Sequence, residues 1–323
     1  MFSNRSLVWR NEDGGAGALD NIDPATGKYV NREVEIEDMN NSNTEIRLLH
    51  DYNLGKMKNT LTAGLRYTYA WFKNQSGGEG TTGSDFDLSI TGEFEKDINF
   101  TTTNIAPFAE NIFRVNDRLS ITPGFRMEYL RSTSDGYMMS GGGKLLSNEN
   151  RERLIPLFGI GAEYKVSENT NVYANISQAY RPITYSDLTP IGVTSKIDPN
   201  LKDASGFNSD LGYRGTVKNY LNFDFGLFYM AYNNRIGTIL INPSSGAPYT
   251  LRTNVANSVH KGLESYVEFN ILKYLHQHSR RGLSIFNSLA LIDAKYTSGE
   301  YKGNRVETAA KYINRGGIAY SDR

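Results

Sequence analysis

Along RLSITPGFRMEYLR (118–131), the odd positions are Leu119, Ile121, Pro123, Phe125, Met127 and Tyr129, and the even ones are Ser120, Thr122, Gly124, Arg126 and Glu128. Alternation with a period of two describes a strand with one apolar and one polar face. Eleven such positions exceed the strand of about five or six residues usual in a soluble sheet. At about 3.3 Å per residue and a tilt near 45°, they climb roughly 25 Å, the height of the apolar band of an outer-membrane barrel.

The same stripe recurs. Leu61, Ala63, Leu65, Tyr67, Tyr69 and Trp71 form one; Leu154, Pro156, Phe158, Ile160, Ala162 and Tyr164 another; Leu221, Phe223, Phe225, Leu227 and Tyr229 a fourth. Less regular strands are predicted at 2–10, 43–54, 98–115, 170–180, 207–215, 234–241, 249–270, 282–297 and 312–323. Over 98–115 the phase stays open, because Ala106, Phe108 and Ile112 compete with Pro107, Ala109 and Phe113. With 220–241 and 249–270 as long single strands, about twelve strands result.

Two kinds of connection alternate along the chain. Short polar turns fall at Gly55-Lys56-Met57, Asn116-Asp117, Ser167-Glu168-Asn169 and Val217-Lys218-Asn219, and long Gly-, Ser-, Asn- and Asp-rich loops at 11–42, 73–97, 133–150 and 181–206. Alternation of this kind puts the loops at one end of an antiparallel sheet and the tight turns at the other, the asymmetry of porin-like barrels. Trp71, Phe72, Tyr129, Tyr180, Tyr229 and Tyr232 stand where stripes stop and are predicted to form an outer aromatic girdle; the competing reading makes them core aromatics of a soluble sheet.

Composition adjusts this picture without changing it. Charged residues are 22% and hydrophobic ones 39% of the 323 residues, and no window holds the unbroken apolar run of a membrane helix. A barrel strand alternates lipid- and water-facing residues, so its average hydropathy resembles that of a soluble protein. Tyr (21) and Gly (31) are abundant and Pro (9) is scarce, a balance favouring sheet. Thirty-five basic residues balance thirty-five acidic ones, so no field draws in nucleic acid. The absence of cysteine removes disulfides and thiol chemistry. The first residues, MFSNRSLVWRNEDGG, have neither a basic n-region nor an apolar core, so an export signal is expected outside this stretch.

Candidate chemistry is sparse, and no enzyme and no cofactor are expected. The four histidines are His50, His260, His276 and His278, and no Gly-x-Ser-x-Gly or phosphate loop accompanies them. His276-Gln-His278 reads either as a metal pair or as a solvated turn in the connection 271–281, and two ligands do not close a zinc site. Asp85 and Asp87 offer carboxylates for calcium, without the acidic partner that an EF-hand spacing requires. Arg66, Arg126, Glu110, Glu128, Glu264 and Glu268 fall on polar faces, so in a barrel they line the lumen, either paired or solvated.

Three stretches carry a family resemblance. NIAPFAENIFRVNDRLSITPGFRMEYL (104–130) resembles a hairpin of TonB-dependent outer-membrane receptors, AYRPITYSDLTP (179–190) their passage from strand to outer loop, and NVANSVHKGLESYVEFN (254–270) their long descending strand. GSDFDL (83–88) and DPNLKDASGFNSDLGYRG (198–215) are similar to the ferric-dicitrate and ferric-siderophore branch. The resemblance implies an all-β, antiparallel transmembrane barrel of about 22 strands around an N-terminal plug, sited in the Gram-negative outer membrane, with a TonB box contacting the TonB complex. Here it covers barrel only: residues 1–323 are expected to be a partial, open barrel with no plug domain, about ten strands short, because the chain stops at Tyr320-Ser-Asp-Arg323 rather than on a terminal aromatic. The implied partners are a ferric siderophore or ferric citrate and outer-membrane lipid. Such a chelate is anionic and calls for arginine forks and tyrosine hydroxyls. Arg181, Tyr185 and Arg252 are the candidate ligand-binding residues at the loop end, the competing reading being that Arg181 and Pro182 only shape the strand-to-loop passage. A passive porin-like or adhesin barrel and a soluble β-sheet carbohydrate-binding protein remain as alternatives.

Overall fold

The computed structural model describes residues 2–9, 22–81, 87–140, 143–189, 195–307 and 309–322. Twelve strands form one antiparallel meander in which each pairs with its neighbours in chain order: β1 (Phe2–Trp9), β2 (Glu33–Leu54), β3 (Met57–Glu79), β4 (Lys96–Arg114), β5 (Leu119–Ser140), β6 (Gly143–Ser167), β7 (Thr170–Arg181), β9 (Ala204–Val217), β10 (Leu221–Ile241), β11 (Tyr249–Asn270), β12 (Arg281–Tyr296) and β13 (Tyr312–Asp322). Between β7 and β9 lie the single helical turn α1 (Tyr185–Leu188) and the short β8 (Ser195–Ile197), which pairs in parallel with β11. A second short helix, α2 (Ile271–Leu275), links β11 to β12. The sheet order runs from β1 to β13 without closing.

The ladder shows which side chains share a face. Leu65 stands opposite Pro107, and Tyr67 opposite Ile105. Phe125 in turn faces both Ala109 and Phe158. Ile160 opposes Ile176, and Leu227 opposes Leu211 and Leu263. The apolar stripes therefore merge into one continuous apolar face. Its members stay exposed: Phe158 is 55%, Leu227 54% and Ile160 47% accessible. An exposed apolar face running from β3 to β11 is what lipid covers, and no soluble sheet keeps one. The phase of β4 is settled too, with Ile105, Pro107, Ala109 and Phe113 on this face and Ala106, Phe108 and Ile112 on the other.

Several boundaries differ from expectation. The stretch 133–150 is not a loop: β5 and β6 continue their ladder to Ser140↔Gly143. Likewise β3 runs to Glu79 and β2 starts at Glu33, which shortens the loops expected at 73–97 and 11–42. Hairpin hydrogen bonding continues above the bilayer, where water wets both faces and the apolar alternation has no cause to persist. The two-ended pattern of connections has exceptions as well, since the β5–β6 ladder runs on to Ser140↔Gly143 at the loop end and α2 lengthens a connection at the turn end. Phe72 is not a girdle residue. It lies on the inner face opposite Met39 and Phe100, buried with Ile98, while its neighbour Trp71 is on the outer face.

The two faces call for different tolerance of charge. Phe125→Arg, in the middle of the apolar face, is expected to cost roughly 2–4 kcal/mol. Thr122→Arg, on the inner face of the same strand, is expected to be close to neutral. Urea unfolding of the protein reconstituted in lipid vesicles measures both.

Candidate functional site

The site lies at the loop end, where the described parts of the connection, residues 182–189 and 195–203, lie against the inner face. Thr184-Tyr-Ser-Asp187 has the spacing of a capping box. The Thr184 amide and hydroxyl donate to Asp187 Oδ2 at 2.9 and 3.0 Å, which closes the single turn of α1. This turn aims neighbouring side chains in opposite directions. Tyr185 packs its ring 4.5 Å from Phe72 and 5.4 Å from Phe100, on β3 and β4. Asp187, with no exposed surface, turns towards β7 and β11.

There it meets two arginines. Arg181 Nη2, at the end of β7, lies 3.0 Å from Asp187 Oδ2, and Arg252 Nη2, on β11, donates to Oδ1. Arg252 Nη1 donates to Thr238 Oγ1 at 3.3 Å. Two buried guanidinium nitrogens, Arg181 Nη1 and Arg252 Nε, find no protein acceptor. Burial pushes the Asp187 carboxyl up, but the Thr184 amide and the two guanidinium groups outweigh it and hold the pKa at about 2.

The rest of the connection is anchored as firmly. The β8 strand lies along Thr250–Arg252, and the Asp198 amide donates to Arg252 O at 2.9 Å. Asn254 exchanges two hydrogen bonds of 2.8 Å with the backbone of Lys202. Asp203 accepts from Arg153 Nη1 at 2.8 Å, from the Ile183 amide at 2.7 Å and from Tyr180 Oη at 2.8 Å. The described residues of the connection thus act as a strap, with Tyr185 on β3 and β4 and residues 195–202 on β11.

All three sequence-derived candidates therefore meet on this strap, in different roles. Arg181 and Arg252 converge on one carboxylate, while Tyr185 faces away from it. Sequence reasoning missed Asp187, although the Thr-x-x-Asp pattern marks it, and it also missed Asp203 and Phe100 and set Phe72 on the wrong face. Tyr180, expected in the girdle, is held by Asp203 instead. The six lumen candidates do share the inner face, where Arg126 pairs with Glu128. Asp87 is engaged by Arg32 Nη2 at 3.1 Å and by the Ser89 amide at 3.0 Å, whereas Asp85 lies outside the described residues. His276 ends α2, its amide donating to Leu272 O. Among the described residues no group of three or more His, Asp or Glu side chains is placed to hold a metal ion.

Comparison with known proteins gives this geometry a context. A family model described as "TonB dependent receptor-like, beta-barrel" matches residues 2–323. No curated protein matches the sequence. Among solved structures, the chain is similar to the ferric citrate transporter FecA (TM-score 0.69, 20% identity, covering 89% of this chain and 40% of that one). It is also similar to the ferric yersiniabactin uptake receptor FyuA from Yersinia pestis (0.62, 15%, 89% and 40%) and to the copper transporter OprC (0.64, 16%, 89% and 42%). The chain thus spans about two-fifths of the length of these structures.

A carboxyl whose folded pKa is depressed gives its stabilisation above its unfolded value and loses it as pH falls through the folded one. The strap is therefore expected to stay docked at neutral pH and to loosen between about pH 4 and pH 2. Fluorescence of a Tyr185→Trp variant should shift to the red over that window, and Asp187→Asn should abolish the transition.

Proposed function

Because the chain belongs to the family of TonB-dependent receptor β-barrels, we propose that it forms part of the wall and mouth of an outer-membrane receptor for an anionic ferric chelate, ferric citrate or a carboxylate-bearing siderophore. Members of this family are transporters and not enzymes. The similar structures are named for different cargoes, citrate-bound iron, yersiniabactin-bound iron and copper. Side-chain chemistry at the mouth must therefore choose among them.

One observation carries the choice. Two arginines from strands far apart in the sheet converge at the loop end on a carboxylate, and both keep a donor unused. Guanidinium forks match carboxylate geometry, so a pair that already holds one carboxylate suits a ligand that presents several. Both side chains are partly open, 37% accessible for Arg181 and 29% for Arg252, so a ligand meets their exposed edges first, while the two unused donors lie buried beneath. In this reading residues 1–323 supply barrel without a plug, and the plug and the TonB-contacting segment belong to the remainder of the receptor. Ligand binding at the mouth would then be coupled through the plug to the TonB complex. The exposed apolar face supports a place in the outer membrane, with lipid as the barrel's surrounding partner.

Binding of ferric citrate to the full-length receptor, followed by isothermal titration, tests this. Arg181→Ala and Arg252→Ala are each expected to weaken binding roughly tenfold to a hundredfold. Arg252→Lys should not restore it, because an ammonium lacks the fork. Asp187→Asn loosens the strap yet frees the arginines, so it should keep or tighten binding. If Asp187→Asn lost binding as the arginine variants do, the arginines would be strap anchors and not ligand contacts.

A further inference from the structure

The wall has a seam where β6 and β7 part although both strands continue. Pairing of β6 with β7 reaches Gly159↔Ser177 and stops, although β7 continues to Arg181 and β6 extends far beyond. Four residues on each side, Ile155–Phe158 and Gln178–Arg181, are left unpaired with each other, a length of about 13 Å. On β6 the backbone groups of odd residues face β5, as Lys165 does in donating to Arg118 O at 2.8 Å. Those of even residues therefore face the seam.

Both even positions at the seam are adapted to the missing ladder. The Phe158 amide donates not to β7 backbone but to Gln178 Oε1, at 2.9 Å. Gln178 is an exposed polar side chain at an outward position, turned back to satisfy a backbone donor. Two residues along the same edge is Pro156, which has no amide hydrogen to leave open. At its loop end the seam is closed by Arg153, Asp203 and Tyr180.

Outside the seam lies a groove of about 700 Å³, lined by Pro156, Phe158, Ile160, Ile176, Ser205 and Phe207 among others. Phe158 and Ile160 belong to the stripe level with Phe125 and Pro123, inside the apolar band. We propose that this groove holds an acyl chain of a bilayer lipid, a site fixed by the seam and distinct from the general lipid contact of the wall. A peptide strand would need free edge donors, and on the β6 edge Pro156 and the Gln178 cap have withdrawn two in succession. An acyl chain asks for none and fills an apolar groove already open to the hydrocarbon. The proposal rests on the membrane-spanning reading above.

Native mass spectrometry of the full-length receptor, extracted from membranes and washed in detergent until surrounding lipid is removed, tests it. The wild type is expected to retain one lipid. Ile176→Trp fills the groove and should cut retention roughly tenfold, whereas Leu291→Trp, on the apolar face of β12, should leave it unchanged. As a check on folding, Ser205→Leu narrows the same groove from β9 with a smaller side chain and should show the same loss. Absence of retained lipid in the wild type, or equal loss in Ile176→Trp and Leu291→Trp, would mean surrounding lipid only and would overturn the groove. A receptor missing from the membrane fraction would instead overturn the barrel reading, and the groove with it.

Discussion

Backbone amides and carbonyls placed in hydrocarbon have no water to bond to, so each must find a partner in the protein. That requirement organises this molecule. It produces a meander in which every inner strand is bonded on both sides, and the pleat of those strands then sorts side chains into an exposed apolar face and a polar inner one. It also explains the proline positions. Pro107 and Pro156 both sit where a ladder bond to a neighbouring strand is missing. At Phe158 a glutamine side chain replaces the absent strand.

The mouth obeys a different economy. Above the hydrocarbon, water is available, and structure there is held by specific contacts between distant segments. A carboxylate without exposed surface sits between two guanidinium groups and a helix-capping amide. Against a well-packed apolar replacement such an ion pair adds little, because desolvation offsets much of the attraction, yet losing either partner once it is buried is costly. What it fixes is position: the arginines of β7 and β11 are held near one point, and Tyr185 is pressed on the opposite wall against Phe72 and Phe100. A docked strap of this kind ties the positions of Arg181 and Arg252 to the spacing of strands on either side of the inner face.

The wall was legible because its signal is local. Each stripe, from Leu61–Trp71 to Leu221–Tyr229, reports which residues alternate between lipid and water, and each tight turn announces itself in Gly, Asn and Lys. From these the all-β class, the antiparallel order and the loop and turn ends follow without reference to any distant contact. The legibility faded where the two solvents cease to differ. Residues 133–150 look like a loop because both faces meet water there, yet their ladder continues.

The sequence by itself thus determined the wall in outline: about how many strands, their antiparallel order, and the outward stripes of the regular ones. It also named Arg181, Tyr185 and Arg252, through residue type and place in the chain. Only the tertiary structure decided that Arg181 and Arg252 share Asp187, that Tyr185 and Phe72 belong to one inner cluster, and which phase β4 adopts beside its neighbours. Alternation is dictated by the solvent on either side of a strand and is written within a few residues. Meetings between segments 65 residues apart, as for Asp187 and Arg252, depend on the curvature of the whole sheet, which no single stretch encodes.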